Sequence, residues 1–173
     1  MKEEYRTYIL SLINGIPQNV YEEYGTILCI GIVIFLAWKG KNAGSYIARL
    51  VLLEYTILIY YSTVLCRIAK ESRGYNFTPF WSYEKSELLV ENVMNVIVFV
   101  PVGLLIGYSF SRWSYWKVIG FGCLFSISIE VLQFAYNRGF CELDDVIHNT
   151  LGCILGYGAY SLIICLIRKN SYS

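Results

Sequence analysis

The sequence has little charge for its length. Only 16% of its 173 residues are charged, whereas 56% are hydrophobic and the mean hydropathy is +0.48. Because soluble domains carry about 25% charged residues, this composition excludes a soluble single domain and predicts an integral membrane protein. The net charge of +1 also excludes the basic surface that nucleic-acid binding needs, so we expect no nucleic-acid partner.

Paired cysteines, a signal peptide and sequence repeats are also missing. The six cysteines have no CxxC spacing and lie mostly in apolar segments, so we expect neither a disulfide framework nor a zinc site. The start, MKEEYRTYILSLING, has early acidic residues and no small-residue cleavage site, which predicts that no signal peptide is removed. Since no repeat or soluble region is found, residues 1–173 are expected to form one transmembrane domain.

Five apolar segments are predicted to be transmembrane helices. They cover residues 24–38, 46–66, 90–110, 115–136 and 145–167. Residues 1–20 fit either a short helix at the membrane surface or a frayed terminus. Residues 67–87 form a loop rich in aromatic rings, which suit the headgroup layer. We therefore expect an all-α bundle of about five transmembrane helices, with a membrane-surface loop between the second and the third.

Positive charge near the segment ends sets the expected orientation. With five spans, the 14 Lys and Arg residues divide equally between the two sides of the membrane. On one side, which includes the C-terminus, the loops are short and carry no acidic residue. We therefore expect a bacterial plasma-membrane protein with its N-terminus outside and its C-terminus in the cytoplasm.

Polar residues interrupt the last three predicted spans at a similar depth. Asn95, Glu130 and Asn149 lie roughly 6 to 9 Å below the outer helix ends, at about 1.5 Å of rise per residue. Gln133 lies one turn above Glu130. A carboxylate at this depth costs several kcal/mol unless it is paired or hydrated, so Glu130 should face the bundle interior. The three helices are thus predicted to share a polar pocket that opens outward.

The start of the fifth span has a polar face followed by a glycine seam. Asp145, His148 and Asn149 fall at i, i+3 and i+4, so they share one face. Gly152 and Gly156 continue that face, and small residues at this spacing let another helix approach closely. The seam offers one route to a homo-oligomer.

Each polar residue also has a purely structural explanation. Asp144 and Asp145 fit a helix N-cap, and His148 is more readily a hydrogen-bonding neighbour than a metal ligand. Glu130 is the exception, since an intramembrane carboxylate favours a functional role. Interhelical hydrogen bonds explain three amides equally well: Asn95, Gln133 and Asn149.

Four segments, taken in order, resemble a known family. They are RGYNFTPF (73–80), NVIVFVPVG (95–103), SIEVLQ (128–133) and RGFCELDDVIHNTLGCILGY (138–157). Within 73–157 the chain resembles the VanZ-like family of small bacterial membrane proteins. One departure is Glu142, where many relatives have Asp, which keeps the charge. The residues that match the family's pattern are Arg73, Asn76, Pro79, Asn95, Pro101, Gly103, Glu130, Gln133, Arg138, Asp144, Asp145, Asn149 and Gly152.

The resemblance implies an association with resistance to the glycopeptide teicoplanin. Combined with the depth of the polar residues, it predicts guanidinium groups of Arg73 and Arg138 above the carboxylates of Glu130 and Asp145. Such groups suit a lipid phosphate or a carboxylate. The expected ligand-binding residues are Arg73, Asn76, Asn95, Glu130, Gln133, Arg138, Asp144, Asp145, His148 and Asn149.

Three functions stay open at this point. The first, which we favour slightly, is binding of a membrane lipid, a lipid-linked envelope component or a lipoglycopeptide. The second is an intramembrane enzyme that acts on a lipid or cell-wall substrate, with Glu130 or Asp145 as the acid or base. The third is a small lipid transporter, although no inverted repeat supports it. We expect no cofactor and assign no metal ligands, but the acidic cluster has the chemistry to hold a divalent cation.

Overall fold

Four long α-helices make up most of the described chain. The structure, a computed structural model, describes residues 43–69, 74–85 and 88–171. The predicted span at 24–38, the segment at 1–20 and Arg73 lie outside the described residues. The helices are α1 (Ala43–Tyr60), α2 (Leu88–Ser109), α3 (Tyr115–Ala135) and α4 (Leu143–Ser171).

All four helices are long and apolar enough to cross a membrane. They correspond to the predicted spans at 46–66, 90–110, 115–136 and 145–167, and a π-helical turn (Tyr61–Leu65) continues α1 to the expected length. The outward surfaces are apolar, as a lipid environment requires, and Leu124 of α3 is 70% exposed. The prediction of an all-α multi-pass membrane protein is therefore confirmed, and its five-helix count is approximate.

Glycines bring α2 and α4 into backbone contact. A Cβ atom on Gly156 would lie 2.0 Å from the carbonyl oxygen of Val100, and one on Gly103 would lie 2.0 Å from that of Cys153. Gly152 is as tight, since its Cβ would lie 2.3 Å from a carbonyl oxygen of α2. Only glycine allows such an approach. The seam is therefore filled by a helix of the same chain, and the predicted homo-oligomer, which stays a prediction, would need another surface.

An apolar core fills the space between the helices. The Tyr55 hydroxyl of α1 donates a hydrogen bond to the Val98 carbonyl oxygen of α2 at 2.9 Å. The Tyr60 and Phe125 rings meet edge to face with centroids 5.1 Å apart, which joins α1 to α3. The most deeply buried apolar side chains are Ile59, Val64, Phe99, Val102, Ile106, Val118, Ile129 and Cys153.

Two short strands join the loops at one end of the bundle. β1 (Gly74–Asn76) pairs in parallel with β2 (Phe140–Glu142), and Tyr75 stands opposite Cys141. A 3₁₀ turn (Trp81–Glu84) follows β1 and leads towards α2. The sequence did not predict the strands. They place the end of α1, the start of α2, the end of α3 and the start of α4 on the same side, where the polar residues lie.

Candidate functional site

Two carboxylates from neighbouring helices lie close together beneath the strands. Glu130 of α3 is only 2% exposed, and its Oε2 accepts a hydrogen bond from the Glu142 backbone N–H at 3.0 Å. Asp145 of α4 is partly buried, and its Oδ1 accepts a hydrogen bond from Asn95 Nδ2 at 2.8 Å. The carboxylates are near enough to repel each other electrostatically. We call Glu130 and Asp145 the acid pair.

Asp144 is a structural anchor for the loop before α2. It is fully buried, and its Oδ1 accepts a hydrogen bond from the Phe80 N–H at 2.6 Å. Its Oδ2 accepts from the Ser82 N–H at 3.0 Å and from the Ser82 hydroxyl at 2.5 Å. Phe80 has a φ of 62°, a left-handed conformation that costs free energy in a non-glycine residue, and Asp144 holds it there. Both carboxylate oxygens are therefore already bonded.

His148 links the same loop to α4. Its Nδ1 lies 2.6 Å from the Asp144 backbone carbonyl oxygen, so this nitrogen carries the proton in the neutral ring. Its Nε2 then accepts a hydrogen bond from the Tyr83 hydroxyl at 2.8 Å. Because both ring nitrogens are bonded, His148 acts as the hydrogen-bonding neighbour that the sequence favoured. Its two hydrogen bonds go to the loop and to the first turn of α4, and it also acts electrostatically on Asp145.

Gln133 and Arg138 hold the end of α1. Gln133 Nε2 donates to the Thr63 carbonyl oxygen at 3.1 Å. Arg138 Nη1 donates to the carbonyl oxygens of Leu65 and Arg67, the latter at 2.6 Å. Unpaired carbonyls at a helix C-terminus attract such donors. The sequence placed Arg138 above the carboxylates, but the structure puts this guanidinium on the helix end.

Arg67 is the cation that the sequence analysis missed. Its exposed guanidinium attracts both Glu130 and Asp145 electrostatically. It also lies near Gly139, since a Cβ there would be 3.3 Å from Arg67 Nη1. The only sequence signal was a basic residue directly after a predicted span. That signal is used to predict the orientation in the membrane, and it does not indicate that the Arg67 side chain acts on the acid pair.

Two buried amide oxygens near the acid pair have no hydrogen-bond partner within the described residues. They are Gln133 Oε1 and Asn149 Oδ1, in side chains that are 2% and 5% exposed. Asn149 uses its Nδ2 to bond the Ser126 hydroxyl at 2.8 Å. Asn76 behaves differently, because its Oδ1 accepts from the Thr78 N–H at 2.9 Å and closes a turn. The amide oxygens of Gln133 and Asn149 are thus unpaired, whereas that of Asn76 accepts a hydrogen bond.

An apolar pocket lies at the strands. It has a volume of about 180 Å³ and is lined by Tyr75, Phe77, Phe134 and Cys141. Burial raises the pKa of the Cys141 thiol, and the carboxylates of Glu130, Asp145 and Glu142 raise it further. The negative potential of the acids therefore extends to the pocket wall.

The described residues contain no group of three or more His, Cys, Asp and Glu side chains arranged to hold a metal ion. A divalent cation at the acidic cluster stays a prediction. The structure brings together Asn95, Glu130, Asp145 and Asn149, with Gln133 nearby. It assigns Asp144, His148 and Arg138 to contacts that hold the surrounding loops.

The sequence was compared with protein-family models, with curated proteins and with solved structures. The family model for VanZ/LLP1 matches residues 26–165. "Protein VanZ" of Enterococcus faecium is 33% identical over 90 residues, which are 52% of this chain and 54% of that protein. The chain thus spans about half the length of this curated relative. No solved structure gives a significant match.

Proposed function

We propose that this protein, which belongs to the VanZ/LLP1 family, is a cell-envelope protein linked to glycopeptide resistance. In this proposal the acid pair binds the headgroup of an envelope lipid, or a lipid-anchored antibiotic such as teicoplanin, at the outer leaflet. Bound lipid or drug is kept from the antibiotic's site of action. The protein needs no chemical reaction to do this.

One observation carries the proposal: the acid pair, with Glu130 buried and Asp145 partly buried, lies at one end of the bundle within electrostatic reach of an exposed guanidinium. Carboxylates at membrane depth are costly unless a partner compensates them, and such residues mark binding sites or ion paths. Glu130 is bonded to the β2 backbone and Asp145 to Asn95, so both carboxylates are held in place before a ligand arrives. Preorganised groups lose less entropy on binding.

The surroundings of the acid pair also suit a lipid. The apolar pocket, whose lining residue Cys141 lies within electrostatic reach of both acids, has space for part of a hydrocarbon chain or a ring. Aromatic side chains at this end are exposed, including Tyr75 at 70%, Phe77 at 61% and Phe80 at 56%. Rings of this kind favour the headgroup layer. A lipid whose headgroup reaches the acid pair would therefore keep its tails in apolar surroundings.

The proposed orientation puts the site outside the cell, with the N-terminus outside and the C-terminus in the cytoplasm of a plasma-membrane protein. At the opposite end of the bundle, the 110–114 connection and the end of α4 carry Arg112, Arg168 and Lys169. Basic residues close to helix ends favour the cytoplasmic side.

Antibiotic susceptibility tests the proposal in cells. Expression of the wild-type protein in a teicoplanin-sensitive host should raise the inhibitory concentration of teicoplanin more than that of vancomycin, which lacks the acyl chain. Glu130→Gln should remove the protection, whereas Glu54→Gln, which changes a carboxylate of α1, should keep it. Protection that is equal for both drugs, or that survives Glu130→Gln at wild-type protein levels, would argue against binding at the acid pair.

The second candidate is an enzyme, and the proximity of the two carboxylates favours it. In such a pair one group can act as the general acid and the other as the general base. Lipid extracts from cells with and without the protein separate the two functions. Pure binding predicts the same lipids in both extracts, whereas an enzyme predicts a new or missing species that returns to normal with Glu130→Gln.

A further inference from the structure

We infer that the acid pair takes a primary ammonium group carried by a lipid headgroup. This inference rests on the proposed lipid-binding function and names the chemistry of its ligand. An aminophospholipid such as phosphatidylethanolamine has this group, separated by two carbons from a phosphate.

The first argument is the balance of charge around the acid pair. Glu130 and Asp145 bring two carboxylates together, one buried and one partly buried. Among the described residues, Arg67 attracts both carboxylates electrostatically, and His148 attracts Asp145. Arg67 is exposed, so solvent screens its attraction. Two neighbouring carboxylates that are taken partly out of water favour a cationic ligand.

The second argument is the unpaired oxygen of Gln133. Its amide orientation is fixed, because Nε2 donates to the Thr63 carbonyl oxygen and Oε1 must be the free acceptor. Oε1 lies in the space beside Gly139 that Arg67 Nη1 also borders, at 2.8 Å and 3.3 Å from a Cβ built on that glycine. A buried acceptor without a donor is costly. Gln133 Oε1 thus lacks a hydrogen-bond donor at a position one turn after Glu130.

The third argument is the unpaired oxygen of Asn149. This residue lies one turn after Asp145 on α4 and bonds Ser126, which lies one turn before Glu130 on α3. Its free Oδ1 is therefore located between the two helices that carry the acids. The two unpaired amide atoms at the site, Gln133 Oε1 and Asn149 Oδ1, are both oxygen acceptors. A primary ammonium carries three N–H donors that can bond these oxygen atoms, whereas a quaternary ammonium carries no N–H donor.

Arg67 completes the match at the mouth of the site. Its guanidinium is exposed and lies beside the acid pair, and a guanidinium fork binds phosphate oxygens well. An ammonium at the acid pair would bring the phosphate of the same headgroup towards Arg67. In the ligand complex each charge of the zwitterion faces an opposite charge of the protein.

Headgroup competition tests the inference. The full-length wild-type protein is equilibrated in nanodiscs with equal parts of phosphatidylethanolamine, its N-methyl and N,N-dimethyl derivatives, phosphatidylcholine and phosphatidylglycerol. After extraction in mild detergent, the retained lipids are quantified by mass spectrometry. We expect phosphatidylethanolamine to be enriched roughly tenfold over phosphatidylcholine, with the methylated lipids in between, because each methyl group removes one donor.

Two variants locate the effect. Asp145→Asn and Glu130→Gln keep the shape of the side chain and should bring the enrichment close to one, while Glu54→Gln should leave it at the wild-type value. The wild-type headgroup series needs no variant, so the test holds even where a variant fails to fold. Enrichment that is unchanged in folded Glu130→Gln and Asp145→Asn would overturn the assignment to the acid pair.

Other outcomes separate this inference from the function on which it rests. Retention of phosphatidylglycerol or phosphatidylcholine that depends on Glu130 would overturn the ammonium inference and keep lipid binding. Equal retention of all lipids in every variant would overturn both. Free phosphoethanolamine is added as a competitor: displacement only at concentrations far above those of the lipid supports the membrane-held ligand, and displacement at equal concentrations overturns it.

Discussion

At the residue scale, adjacent acids have different surroundings. Asp144 is fully buried, and both of its oxygens accept hydrogen bonds from residues 80 and 82. Among the described residues, Asp145 receives one hydrogen bond, from Asn95, and it lies within electrostatic reach of Glu130. The first carboxylate is used by the fold, while the second keeps the capacity to bind. The sequence DD cannot reveal this difference, because it depends on a loop about 60 residues earlier in the chain.

Loss of Asp144 should destabilise the protein. Asp144→Ala leaves the Phe80 and Ser82 N–H donors unpaired and is expected to lower the free energy of unfolding by about 3 kcal/mol, since hydrogen bonds to a charged group contribute about 1.5 to 3 kcal/mol each. Thermal unfolding in detergent measures the change. Glu84→Ala, at an exposed position of the same loop, should have little effect. Equal stability of the two variants would contradict the anchoring role.

The thiol of Cys141 should report the charge of the acid pair. Its pKa is raised by burial and by nearby carboxylates, so less reactive thiolate is present at neutral pH than for an ordinary cysteine. In a variant that keeps Cys141 as its single cysteine, alkylation should speed up only at alkaline pH. Adding Glu130→Gln should shift this rate profile to lower pH, because one negative charge is removed. An unshifted profile would place Glu130 too far away to act on the strand.

At the element scale, sequence patterns find the helices and miss their connections. Long apolar runs predicted the spans because roughly 20 such residues fit a bilayer and few other structures need them. Three-residue strands carry no detectable period, and β1 and β2 form only because the loops meet at the same end of the bundle. The capping of α1 by Gln133 and Arg138 was missed for the same reason, since it joins residues about 70 positions apart.

The α2–α4 contact should depend on its glycines. Gly156→Ala places a methyl group 2.0 Å from the Val100 carbonyl oxygen, so the helices must separate, at a cost of about 1 to 3 kcal/mol. Gly120→Ala is the matched control, because a Cβ there has no atom within 4 Å among the described residues. Melting temperatures of the two variants in the same detergent should differ clearly. A Gly156→Ala variant as stable as Gly120→Ala would contradict the close packing.

At the scale of the whole molecule, the site forms where distant segments meet at one end. Asn95, Glu130 and Asn149 were predicted to lie at a common depth because helical rise converts sequence position into height. The same reasoning could not identify Arg67 or predict that Arg138 contacts the end of α1. The positions of loop side chains depend on tertiary contacts and not on a helical period. The depth of the polar helix residues in the membrane can thus be predicted from this sequence, whereas the direction of the loop side chains cannot.

The orientation of the molecule is testable with thiol labelling in intact cells. In a cysteine-free background, the proposed orientation predicts that Tyr75→Cys reacts with a membrane-impermeant maleimide, because position 75 is exposed at the end of the bundle that carries the acid pair. Arg112→Cys, exposed at the opposite end, should react only after the membrane is permeabilised. The reverse pattern would place the acid pair on the cytoplasmic side and contradict the proposed access to outer-leaflet ligands.

Photo-cross-linking tests most directly whether a lipid occupies the acid pair. A photoreactive amino acid replaces Cys141, which lines the apolar pocket, or Leu124, which is 70% exposed on the outer surface of α3. We predict lipid adducts at both positions in the otherwise wild-type protein, and a loss of most adducts at position 141, but not at 124, when Glu130→Gln is added. Equal adduct yields at position 141 with and without Glu130→Gln would contradict a lipid site at the acid pair.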